Sequence, residues 1–205
     1  MGRPVAFVTF RERLNTLRVQ HAVIQCGQRL MVFVFTILFE GDTTDIKNYV
    51  LSNSGSKSQY SKSFAEPEQD KLETGDYKTW NMSLLYKLLQ NSCGLQYPID
   101  KKCVQFPNQC EETLENLLHQ LKEWKNEITT NFDLILTREE METSLENLKD
   151  LSIKILVALS DKVHINQSES ENMSQVIEYI IKDVKQSVNE SKSSSKCLQI
   201  NATGT

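Results

Sequence analysis

Glycine is scarce, at 7 of 205 residues, about half the usual share. Phosphate-cradling loops and folds with many tight turns are poorly served by such a chain, and neither a P-loop nor a nucleophile elbow occurs. Histidine is limited to His21, His119 and His164, each isolated in sequence, and no H-E-x-x-H pair is present. His119 falls between Leu118 and Leu121 and is expected on the solvent face. The five cysteines, Cys26, Cys93, Cys103, Cys110 and Cys197, cannot all pair within one chain, which is simplest to reconcile with a reducing compartment. Cys93, Cys103 and Cys110 with His119 offer four potential zinc ligands, but no C-x2-4-C knuckle presents two thiolates from one turn. No catalytic, cofactor-binding or metal-ligating residue is expected, and an enzyme is the least favoured class.

Basic charge is missing where the chain is most regular. The net charge is −4, and residues 108–190 hold 8 basic against 17 acidic groups. That block would repel a polyanion, so nucleic acid is not expected as a partner. Five of the six arginines lie in the first 29 residues, whereas all 17 lysines follow residue 46. Residues 1–40 therefore read as an Arg-rich apolar segment, appended or targeting-like. Within it Phe7, Phe10, Leu14, Leu17, His21 and Ile24 recur at helical spacing until Gly27 interrupts. Leu30 to Phe39 follows, ten residues without a charge. That run is too short to cross a bilayer alone, since a helix needs about 20 residues. It suits an anchor, a signal-peptide core without a good cleavage site, or a packed strand or short helix. The acid-poor start also suggests a mitochondrial presequence, although residues 1–40 contain no serine.

Residues 41–75 read as a Ser-rich flexible linker with a short helix near Thr44–Leu51, because their apolar content is too low to offset chain entropy. Residues 76–107 carry a helix through Trp80, Leu84, Leu85, Leu88 and Leu89, a stop at Gly94 and a Pro-containing connection. Asn108 is the expected cap of the next helix.

Residues 108–190 carry the clearest pattern. Leu114, Leu121, Ile128 and Ile135 repeat every seven residues with Leu117 and Trp124 between them, a coiled-coil seam. The frame then slips to Met141, Leu145, Leu148, Ser152, Ile155 and Leu159, and Thr137 with Glu140 forms a capping box, so a break at Thr137 is preferred to one stuttering helix. A third helix from Ser168, capped with Glu171, runs through Met173, Val176, Ile177, Ile180, Ile181, Val184 and Val188, with Glu178 and Lys182 as an internal pair. Helix-on-helix packing of this kind, with Trp124 in a helix rich in Leu and Glu, resembles the spectrin repeat, over a stretch shorter than a full repeat. Residues 191–205 read as a disordered tail.

The expected fold is mainly α, a small antiparallel helical bundle or coiled-coil segment with a flexible N-terminal half. The expected function is non-enzymatic: a helical interaction or scaffold protein that meets another helical protein, or itself, through Leu114, Leu117, Leu121, Trp124, Ile128, Ile135, Leu145, Leu148, Ile155, Ile177, Ile180 and Val184. The cytoplasm is the expected location. The alternative is a membrane-associated or secreted protein using Leu30–Phe39, and five Asn-X-Ser/Thr sequons, at Asn81, Asn166, Asn172, Asn189 and Asn201, would matter only there.

Overall fold

A computed structural model describes the backbone of residues 10–53, 57–96 and 112–200, and their side chains except at 57, 58 and 187–200. Eight α-helices and no strand are found among these residues: α1 (Phe10–Leu38), α2 (Ile46–Asn53), α3 (Lys57–Ser63), α4 (Glu66–Thr74), α5 (Met82–Ser92), α6 (Leu114–Thr130), α7 (Arg138–Lys162) and α8 (Gln167–Ile200). The mainly α bundle expected from heptad spacing is what the chain forms.

Residues 10–38, within the segment read as appended or targeting-like, are not an appendage. α1 is the axis of the bundle, in contact with α5, α6, α7 and α8. Its inner face, from Val19 through Ala22, Val23, Cys26, Leu30, Met31, Val34 and Phe35, is fully buried. Gly27 does not interrupt the helix. A Cβ there would lie 2.6 Å from Met82 Cε and 3.7 Å from Leu121 Cδ1, so the missing side chain admits α5 and α6 close to the axis. A helix-interior glycine costs about 1 kcal/mol against alanine, and tertiary packing overrides that penalty. By length and composition α1 is apolar enough to cross a membrane, yet half of its most apolar window is buried by its own bundle.

The apolar stripe assigned to the start of α1 faces outward. Phe10 is 83% and Leu17 59% exposed, while the adjacent Asn15 and Thr16 are buried. Spacing favours the greasier side, but the connection between α6 and α7 needs polar partners. Asn15 Nδ2 donates to the Leu136 carbonyl at 3.2 Å, Thr16 Oγ1 donates to that of Leu134 at 3.2 Å, and the Leu136 amide donates to Thr16 Oγ1 at 3.1 Å. Gln20 Nε2 reaches the Ile128 carbonyl in the same way. Buried backbone groups outside regular structure must find such partners.

The stretch read as a flexible linker is also largely helical. Ile46, Val50, Tyr60, Phe64 and Leu72 are buried, and α2 packs on α5, α4 and α3. A few well-spaced anchors suffice where average composition suggests none. Phe35 stacks on Phe39 at 4.7 Å, and Phe39 meets Tyr49 edge-on at 4.6 Å, joining α2 to the end of α1. Lys87 donates to both carboxylate oxygens of Glu68, at 2.8 and 2.7 Å, tying α4 to α5.

α5 begins at Asn81, whose side chain accepts the Leu84 amide, and Gly94 follows its end at φ +68°, as expected of a helix stop. α6 is capped by Thr113, so the helix starts after Glu112; Asn108 lies outside the described residues. It ends at Asn131, and Thr137 and Glu140 form the expected capping box at the start of α7. α8 is capped two residues earlier than expected, by Asn166, whose Oδ1 accepts the Ser168 amide at 3.1 Å. Its backbone stays helical to Ile200, ten residues into the stretch read as a disordered tail. Glu178 pairs not with Lys182 but with Lys149 of α7 at 2.8 Å. Lys185 with Glu146 repeats that link in the opposite sequence order, which makes α7 and α8 antiparallel, and Lys154 with Glu112 and Lys162 with Glu115 tie α7 to the start of α6.

Candidate functional site

The seam residues expected to meet a partner are covered by the chain itself. Leu114, Leu117, Leu121, Ile128, Leu145, Leu148, Ile155, Ile177 and Val184 are all buried, Trp124 and Ile180 are half-buried, and Ile135 alone is exposed, at 36%. The heptad pattern reports the faces that α6, α7 and α8 turn to one another and to α1. Periodicity in a single chain shows that a face is sealed and not by what. Ser152, the polar residue of the seam, is fully buried and satisfies its hydroxyl on the Leu148 carbonyl at 2.7 Å.

Among the described residues, the surface that remains open lies elsewhere. α5, α6, α7 and α8 surround α1 as a sequence of touching staves, α5 on α6, α6 on α7 and α7 on α8, but α8 makes no comparable contact with α5 to close the ring. A groove of about 750 Å³, open to solvent, lies along α1 beside the first turns of α8. Val32, Phe33 and Ile37 of α1 and Met173 and Val176 of α8 give it apolar walls. The cause is legible in the chemistry of α1. Its run from Leu30 to Phe39 is charge-free on every side, and the staves leave Val32, Phe33 and Ile37 only half-buried. Helices apolar all round are normally enclosed completely.

The polar members of the groove are few and defined. Gln28 Nε2 donates to the Trp80 carbonyl at 2.8 Å, holding the approach to α5 against α1. Arg29 and Lys78 are exposed and line the groove with Glu169 and Asn172 of α8. Neither of the described thiols lines the groove, and burial disarms both. Cys26 is pushed up to about 12 by desolvation, against the opposing pull of Arg29, and Cys93 rises to about 12 by desolvation with Glu40 adding to the effect. Thiolate is the nucleophilic and metal-binding form, so neither thiol is primed for that chemistry.

Of the four residues weighed as zinc ligands, Cys103 and Cys110 lie outside the described residues. Cys93 is half-buried, and His119 is directed elsewhere. Among the described residues no group of three or more His, Cys, Asp or Glu is placed to hold a metal ion. His119 is not on the solvent face. Its Nδ1 lies 3.2 Å from the Tyr86 hydroxyl, its Nε2 is buried with no partner among the described residues, and Lys122 sits 5.2 Å from the Tyr86 ring centre. Burial, reinforced by the Lys122 charge and opposed by Glu123, lowers the His119 pKa below its usual value. No protein family, no curated protein and no solved structure matches the chain.

Proposed function

We propose that this is a non-enzymatic helical interaction protein that receives a helix of another protein in the groove between α1 and α8, in the cytoplasm. The observation that carries the reading is the open side of α1: an apolar helix, enclosed by four staves, with a groove of about 750 Å³ where a further stave would stand. Helix-in-groove recognition buries apolar side chains at i, i+3, i+4 and i+7 and leaves the outer face of the guest polar. The groove spans residues 25–37 on α1, which at 1.5 Å per residue corresponds to about 18 Å, or three turns of a guest helix. An open trough of this kind would leave much of a small apolar ligand in water, whereas such sites usually bury most of their ligand.

A photo-crosslinking residue in place of Thr36, exposed on the groove, tests the reading in cells. A defined protein adduct that disappears when Val176→Trp fills the groove supports it; adducts indifferent to that substitution refute it. A second reading, α1 as membrane anchor or secretory signal, rests on its length and apolar content. It requires the axis to leave the bundle. Protease protection together with a glycosidase-sensitive mass at the sequons distinguishes this reading from the first.

A further inference from the structure

The groove is asymmetric in charge, and we infer from this that its guest is an amphipathic helix carrying carboxylates on one flank, set against Arg29 and Lys78, with a basic or neutral group facing Glu169. This inference rests on the groove being a partner site and specifies the chemistry of that partner. Eight described cations, from Lys47 to Lys185, form ion pairs with carboxylates of the chain. Arg29 and Lys78 form none with the described residues, although both line an apolar trough where a guest carboxylate would be partly desolvated. Gln28, the neighbour of Arg29 on α1, donates from Nε2 to the Lys78 carbonyl at 3.4 Å, and Arg29 and Lys78 both line the groove. Glu169, on the first turn of α8, supplies the single carboxylate among the groove residues.

The net charge of −4 argues the other way at long range and favours basic partners. Screening decides between the two. At physiological salt the field of exposed charges fades over about 8 Å, so the acidic exteriors of α6 and α7 act weakly on a docked flank. Contact pairs in a partly dry groove are screened much less and set register and partner choice. A helix is favoured over an extended peptide because the groove offers apolar side-chain walls between helices, with no sheet edge to extend among the described residues.

The test pans a library of helical peptides, varied in apolar stripe and in flanking charge, against the full chain, and measures the selected peptides by fluorescence anisotropy. Acid-flanked peptides should be enriched, and Arg29→Glu with Lys78→Glu should weaken them by at least about tenfold while favouring base-flanked ones. Filling the groove with Val176→Trp, or with Thr36→Trp at an exposed position should the first lower stability, should remove both. Peptides lost on filling but indifferent to the charge reversal, or enrichment of base-flanked peptides by the natural chain, overturn the charge assignment and leave the groove as a partner site. No enrichment, or binding unaffected by filling, overturns both. A dimer of the free chain that Thr36→Trp dissociates also overturns the inference, because the guest is then a second copy.

Discussion

At the scale of the residue, position relative to α1 decides what a substitution does. Phe35 is fully buried between Phe39 and Tyr77, whereas Phe132 is 95% exposed at the α6–α7 connection. Phe35→Ala should therefore destabilise by about 3–5 kcal/mol, and Phe132→Ser should stay within about 0.5 kcal/mol; urea titrations of the two variants give both values. The thiols make a second contrast. Cys26 and Cys93, each raised to about 12, should resist alkylation near neutral pH in the folded chain and label after unfolding, as peptide mapping of pulse-labelled protein would report. His119 gives a pH dependence of defined sign. The folded chain binds its proton more weakly than the unfolded chain does, so its contribution is complete above the usual value of 6.5 and is lost as pH falls toward the lower folded value. Midpoints measured across that window should fall with acid, and His119→Gln should flatten the slope; an unchanged slope would rule His119 out as the cause.

At the scale of the element, boundaries follow local chemistry where a cap exists. Thr137→Ala removes the hydroxyl that accepts the Glu140 amide, one half of the capping box, and should cost about 1 kcal/mol without altering the bundle. Gly27 shows the converse. Its helical position is adverse by propensity and favoured by packing, because the buried Met82 thioether lies 2.7 Å from a notional Cβ and would have to shift to admit one. Gly27→Val should destabilise by about 1–3 kcal/mol through overpacking, read as a lower thermal midpoint. The capping box, the Asn81 cap and the Gly94 stop are all legible in sequence, since each depends on residues within one turn. The outward turn of Phe10 and Leu17 is not, because it depends on Asn15 and Thr16 meeting carbonyls more than a hundred residues away.

At the scale of the whole molecule, α1 is the part that the other helices share. A fragment of residues 108–190 should be poorly packed alone, since the inner faces of α6, α7 and α8 lose the surface they rest on, and a peptide of residues 10–38 should restore helicity and a cooperative transition. Circular dichroism of the fragment with and without the peptide measures this. A fragment that is fully helical and cooperative alone would show that α1 is dispensable. The same arrangement moves the proposed interaction surface from the seams of α6 to α8, which are closed, to the half-covered side of α1.

The sequence by itself determined that the chain is helical, that α7 begins at Thr137 and α8 within two residues of Asn166, and that the Leu and Ile faces of α6, α7 and α8 are sealed; the cap of α6 at Thr113 differs from the Asn108 that sequence favours. Those properties are local or periodic, and a helix enforces them within a few residues. Only the tertiary structure decided what seals them. Burial is a relation between elements, and the charge-free run at Leu30–Phe39 fits an anchor, a signal or a core equally well until four helices are seen around it. The less covered side of that run, and with it the candidate site, exists because α8 and α5 make no contact comparable to those between the other staves.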